Sequence, residues 1–180
     1  MDTLLLMFKR KLGSVILLAS FLAMPSPADA ARIKDDPEGF NGHRWGASLS
    51  EYPAFKLLQD LGSTDFVEKA GVYENPGEVL TLNEVRIKTV RYRFINEQME
   101  SIHLRYESRD NRERLMDWLQ DRFGKLSPSE RKMVNSVQWF GEKTTVTLTY
   151  NPRTEEGAVW FTSQALNHLF NDIHQGSQGD

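Results

Sequence analysis

Histidine is the side chain best suited to bind a metal or move a proton near neutral pH. This 180-residue chain has four, at 43, 103, 168 and 174. His168 and His174 are six residues apart, so on one helix they would point about 240° away from each other. Asp172 follows His168 by four positions and shares its face, which gives this segment two ligands at most, where a zinc site needs three or four. No His-Glu-x-x-His spacing occurs. The chain also has no cysteine, which removes thiolate ligands, disulfides and a cysteine nucleophile together. No Gly-x-Ser-x-Gly elbow surrounds Ser136 or Ser163. The glycines around Trp45 form no phosphate-binding loop, and the pairs Glu155-Glu156 and Asp35-Asp36 read as solvated loop positions. No catalytic residue, metal or cofactor is expected from spacing. An enzyme here, such as a small periplasmic hydrolase, would need His43, His103 and nearby carboxylates to meet in one cleft.

Aromatic residues offer a different chemistry. Trp139 and Phe140 are adjacent in a predicted strand and must point to opposite faces, so only one can enter a single core. The other is covered by a helix or loop, or it marks a contact surface. Trp160-Phe161 poses the same choice, with the terminal helix as the cover. Trp118 and Trp160 lie in periodic segments and are expected in the core. The candidate partner contacts are Trp139, Phe140, Tyr150, Arg105 and His103.

The elements that would position these residues follow from periodicity. Phe40 and Trp45 are anchors in a glycine-rich segment, and Ser48-Leu-Ser-Glu51 fits a capping box. The apolar residues of 54–61 suit either a strand or a short helix. From Asp65 the pattern is β, with a turn at Asn75-Pro-Gly77. Val85 and Ile87 alternate in one phase and Val90, Tyr92 and Phe94 in the other, which predicts a bulge at Thr89. A turn at Asn96-Glu97 leads into Ile102, Leu104 and Tyr106 as a hairpin. Leu115, Trp118, Leu119 and Arg122 predict a helix over 111–123, capped by Asp110 and ended by Gly124. After a polar loop through Pro128, strands are expected at 137–140, 145–150 and 158–162, with an amphipathic helix over 163–173. The fold class is α+β, an antiparallel sheet with helices packed on one face. It is arranged as two halves of similar order, a short helical element followed by strands.

Charge is interspersed, with 22 Lys and Arg against 25 Asp and Glu for a net charge of −3. This balance argues against nucleic acid as a partner. The N-terminus carries an address. Lys9, Arg10 and Lys11 precede an apolar run from Leu12 to Met24, and small residues at Ala28 and Ala30 follow. These are the parts of a signal peptide cleaved after Ala30. The run is shorter than the ~20 residues needed to cross a membrane as a helix. The expected organisation is a signal peptide at 1–30, a flexible leader at 31–38, one α+β domain at 39–175 and a loose tail at 176–180. Cysteine-free export suggests a bacterial periplasmic or secreted protein without stable membrane insertion.

Several segments resemble a family of small exported bacterial proteins of unknown function that opens with Gly-Phe-x-Gly-Ile-x-Trp-Gly-Thr. They are Phe40-Asn-Gly-His-Arg-Trp-Gly46, Val90-Arg-Tyr-Arg-Phe-Ile-Asn-Glu-Gln-Met99, Ile102-His-Leu-Arg-Tyr106, Phe123-Gly124, Val137-Gln-Trp-Phe-Gly141 and Val146-Thr-Leu-Thr-Tyr-Asn151. His43 and Ala47 depart from the family pattern, which has an aliphatic residue and Thr there. The resemblance implies an exported α+β domain and carries no activity. A looser, fold-level similarity is to exported β-lactamase-inhibitor-like domains. Together these readings lead to the expectation of a non-catalytic exported module for binding or envelope assembly. It would act through an aromatic sheet face on a protein partner in the cell envelope.

Overall fold

The computed structural model describes residues 31–169. The signal segment, the end of the terminal helix and the tail predicted above lie outside the described residues. In chain order the described elements begin with β1 (Ala31–Arg32), β2 (Gly39–Phe40), β3 (His43–Arg44) and a 3-10 turn at Leu49–Glu51. Next come β4 (Lys56–Thr64), β5 (Val67–Glu74), β6 (Thr81–Leu82), β7 (Val85–Arg86), β8 (Thr89–Ile95) and β9 (Gln98–Glu107). Helices α1 (Arg109–Phe123) and α2 (Pro128–Arg131) precede β10 (Ser136–Phe140), β11 (Thr144–Asn151) and β12 (Glu156–Ser163). A helix at 164–169 closes the described chain.

The architecture is mostly sheet. Eight strands run in the order β1-β10-β11-β12-β9-β8-β5-β4, antiparallel throughout except for the parallel β1–β10 pair. The hairpins β2–β3 and β6–β7 stand outside this sheet. Side chains that pair across strands share a face, so the register sorts the sheet into two sides. On the inner side, Tyr92, Ile102, Phe161, Val146 and Trp139 form one row, and Val90, Leu104, Val159, Leu148 and Val137 the next. All ten are buried, and Leu115, Met116, Leu119 and Phe123 of α1 join the same core.

Local chemistry explains several boundaries. Ser108 adopts φ +74° and its Oγ accepts the Asn111 amide, so it caps α1 in place of the expected Asp110, which sits in the first turn. Gly124 ends the helix as expected. The predicted capping box at Ser48 and Glu51 is present, and Ser127 with Glu130 makes a second one that starts α2 inside the predicted polar loop. Asn96 and Glu97 both take positive φ, which matches the twist of the β8–β9 hairpin.

Other expectations are corrected. The open assignment at 54–61 resolves as strand β4. The phase change at Thr89 is a junction rather than a bulge, because Val85 and Ile87 reach the core from the separate β6–β7 unit and its exit. The bulge of the β8–β9 hairpin is at Glu100, an extra residue between the pairs Arg93–Ser101 and Phe94–Met99. Helix α1 covers the inner face. Leu169 of the closing helix instead packs with Val67, Ala70 and Ile95, a separate cluster. The first half of the chain has a 3-10 turn where the second has α1, and it supplies four strands to the sheet's β4–β9 side.

The leader is bound rather than free. Ala31 and Arg32 pair with Trp139 and Phe140, and Ile33 is buried. The Asp36 carboxylate accepts the amides of Lys143 and Thr144, and Trp45 donates its Nε1–H to Thr144 Oγ1 at 2.7 Å. Gly141 permits this clamp, since a Cβ there would stand 2.3 Å from Asp36 Oδ1.

Candidate partner-binding face

The outward side of the sheet is chemically different from the inner one. Arg91, His103, Trp160, Thr147 and Gln138 form one cross-strand row. Thr89, Arg105, Ala158, Thr149 and Ser136 form a second, and Arg93, Ser101, Thr162, Thr145 and Phe140 a third. Two large apolar side chains, Trp160 and Phe140, stand among hydroxyls and cations, so the face is amphipathic rather than broadly aromatic.

The five predicted contacts separate along these rows. Phe140, His103 and Arg105 lie on the outward face, with Phe140 39% exposed. Trp139 is fully buried on the inner face and donates Nε1–H to the Gly124 carbonyl at 2.8 Å. Tyr150 is also a core residue, and its ring is parallel to that of Tyr106. Strand alternation requires this split. Trp139 takes the inward position because a buried indole needs an acceptor, and the end of α1 supplies one. Trp160, expected in the core, is outward and half-buried, while its neighbour Phe161 is fully buried.

A shallow cleft of about 480 Å³ opens on this face beside the β11–β12 turn, with His103, Arg105, Thr149, Glu156 and Trp160 among its lining residues. The charges of the outward face, in and beyond the cleft, are largely cancelled. Arg105 Nη2 meets Glu156 Oε2 at 3.0 Å, Arg93 Nε meets Glu100 Oε2 at 2.5 Å, and Arg91 contacts Glu74. Burial, aided by the positive charge of Arg93, pushes His103 down to about 3, so its imidazole is neutral at physiological pH. Hydrogen bonding is less complete. Thr89 Oγ1, Glu100 Oε1, Ser101 Oγ, His103 Nε2 and Trp160 Nε1 are buried without a hydrogen-bond partner. Each such atom costs roughly 1–3 kcal/mol of the stability of the fold.

The remaining histidines do not join this site. His43 lies on the inner side, against Tyr52, Phe55 and Tyr92. Tyr92 Oη donates to the Glu78 carboxylate at 2.7 Å and stands 3.3 Å from His43 Nε2. Burial lowers the pKa of His43, opposed by the charge of Glu78, and burial with the Glu78 contact raises that of Tyr92. Sequence reading treated Tyr92 as plain core. Its signal was available, since a tyrosine in a core position brings a hydroxyl that needs a partner. His168 is exposed, and His174 and Asp172 lie outside the described residues. Among the described residues no group of three or more His, Asp or Glu side chains could hold a metal, and no helix is long and apolar enough to cross a membrane. The site therefore offers a half-buried indole and an exposed phenyl ring among polar side chains. No protein-family model, curated protein or solved structure matches this chain.

Proposed function

We propose that this chain is a non-catalytic, exported binding or envelope-assembly module that engages a protein partner through the outward face of its sheet. The observation that carries the reading is the amphipathic character of that face, with Phe140 exposed and Trp160 half-buried among hydroxyls and cations. A partner that covers Phe140 and Trp160 would gain apolar contact, with the surrounding threonines and Arg105 as a polar rim. Arg105, exposed and paired with Glu156 at the surface, belongs to the rim. The hydrolase reading needed His43 and His103 in one cleft. The sheet lies between them, so binding is the stronger reading. Export to the periplasm or medium rests on the pattern of residues 1–30, and the family resemblance supports the same location.

Affinity capture with the full-length chain produced in an exporting host, using crosslinking and mass spectrometry, tests the proposal. A stoichiometric protein partner is expected. Phe140→Ala and Trp160→Ala should reduce its recovery at least tenfold, while Trp139→Phe, a core substitution, leaves recovery per folded molecule unchanged. Undiminished capture by both outward-face variants would overturn the reading.

A further inference from the structure

A second cleft lies on the other side of the sheet, between the β2–β3 hairpin and α1. Its volume is about 470 Å³, and Phe40, His43, Arg44, Leu82, Trp118 and Arg122 line it. Three separate parts of the chain form its walls: the N-terminal hairpin, the β6–β7 unit and the last turns of α1. The apolar wall is already organised. Phe40 stacks on the buried Phe161, and Trp118 is half-buried against Phe123.

The charges in this cleft are not cancelled as they are on the outward face. Arg122 holds its guanidinium over the rings of Trp118 and Phe123, at 5.7 and 5.9 Å from their centroids. Neither Arg122 nor Arg44 has a carboxylate within ion-pairing distance among the described residues. Among the described residues lining the cleft the one carboxylate is that of Glu38, which ion-pairs with the Lys143 ammonium and also feels the charge of Arg44. The cleft thus combines an apolar wall with two guanidinium groups that make no direct ion pair among the described residues. Guanidinium is the side-chain group that best matches the geometry of carboxylate and phosphate oxygens.

We propose that this cleft binds a small amphiphilic anion, an apolar body bearing one phosphate or carboxylate group. Arg44 and Arg122 take the anionic group, and Phe40, Leu82 and Trp118 cover the body. His43 contributes the edge of its ring to the wall. This site is independent of the outward face, so the two proposals stand or fall separately.

The test is titration of the full-length chain, followed at the indole N–H resonance of Trp118. The probes are monomeric dihexanoyl phosphatidic acid and octanoate. Inorganic phosphate and uncharged dihexanoylglycerol are the controls. Saturable binding of one amphiphile is expected, weakened by added salt and by about tenfold in each of Arg44→Gln and Arg122→Gln. Both substitutions are at exposed positions and should leave the melting temperature unchanged. The amphiphile that binds more tightly identifies the anionic group. Absence of a saturable Trp118 shift, indifference to both substitutions, or equal binding of either control would overturn the proposal.

Discussion

Replacing Gly157 with alanine should destabilise this protein more than any common surface substitution, for a reason specific to the register of its sheet. Gly157 pairs with Tyr106 on β9 and with Tyr150 on β11. The Tyr106 ring lies over the glycine and its hydroxyl donates to the Thr149 carbonyl at 2.7 Å. A Cβ at position 157 would stand 2.2 Å from Tyr106 Cζ, 2.3 Å from its hydroxyl oxygen and 2.5 Å from Thr149 O. Tyr106 is 1% exposed and cannot swing aside without disturbing the core. Overpacking of this kind costs roughly 1–3 kcal/mol. Loss of the tyrosine hydrogen bond adds roughly 0.5–1.5 kcal/mol. The sum is about 3 kcal/mol, which for a domain of this size lowers Tm by roughly 6–12 °C. Urea denaturation followed by circular dichroism would measure it. In a Tyr106→Ala background the same substitution should cost at least about 1 kcal/mol less, because the methyl then meets a cavity. A Gly157→Ala cost below 1 kcal/mol, or full additivity of the two changes, would refute the described packing.

Two further predictions concern charge. His103 is held neutral in the folded chain down to about pH 3, whereas in the unfolded chain it takes a proton near the ordinary histidine value. Its contribution to stability is thus present above about pH 6.5 and is lost as pH falls from there towards 3, at up to about 1.4 kcal/mol per pH unit. Comparison of wild type with His103→Phe across that window should show the variant losing stability less steeply on acidification, and parallel curves would exclude a buried neutral imidazole. Two of the ion pairs of the outward face, one buried and one exposed, should differ in what they contribute. Glu100→Ala removes one buried partner of Arg93 and should cost more than about 1 kcal/mol, while Arg105→Gln, which breaks an exposed pair with Glu156, should cost under about 1 kcal/mol. Thermal denaturation distinguishes them, and similar losses from both would contradict the assigned burial.

Much of the fold was legible along the chain because strands and helices impose short periods on which residues are apolar. Alternation through Val90, Tyr92 and Phe94 and through Val146, Leu148 and Tyr150 located β8 and β11. The spacing of Leu115, Leu119 and Phe123 located α1. Glycine and asparagine marked turns for steric reasons local to the backbone. The same alternation required Trp139 and Phe140 to face opposite sides. It could not say which would be inside, because that depends on the Gly124 carbonyl at the distant end of α1.

What the sequence determined by itself was therefore local. It specified helix α1 and most of the long strands, the absence of cysteine chemistry, the lack of any metal-binding spacing and the signal-like character of residues 1–30. Tertiary structure decided the rest. Only the pairing of β9 with β12 sets His103 beside Trp160. Only the parallel pairing of β1 with β10 turns a polar leader into an edge strand clamped by Asp36. The approach of Tyr92 to His43, 49 positions away, is likewise set by a contact between residues far apart in sequence. Such contacts leave no periodic trace, since their energies depend on which faces meet after the chain has closed on itself.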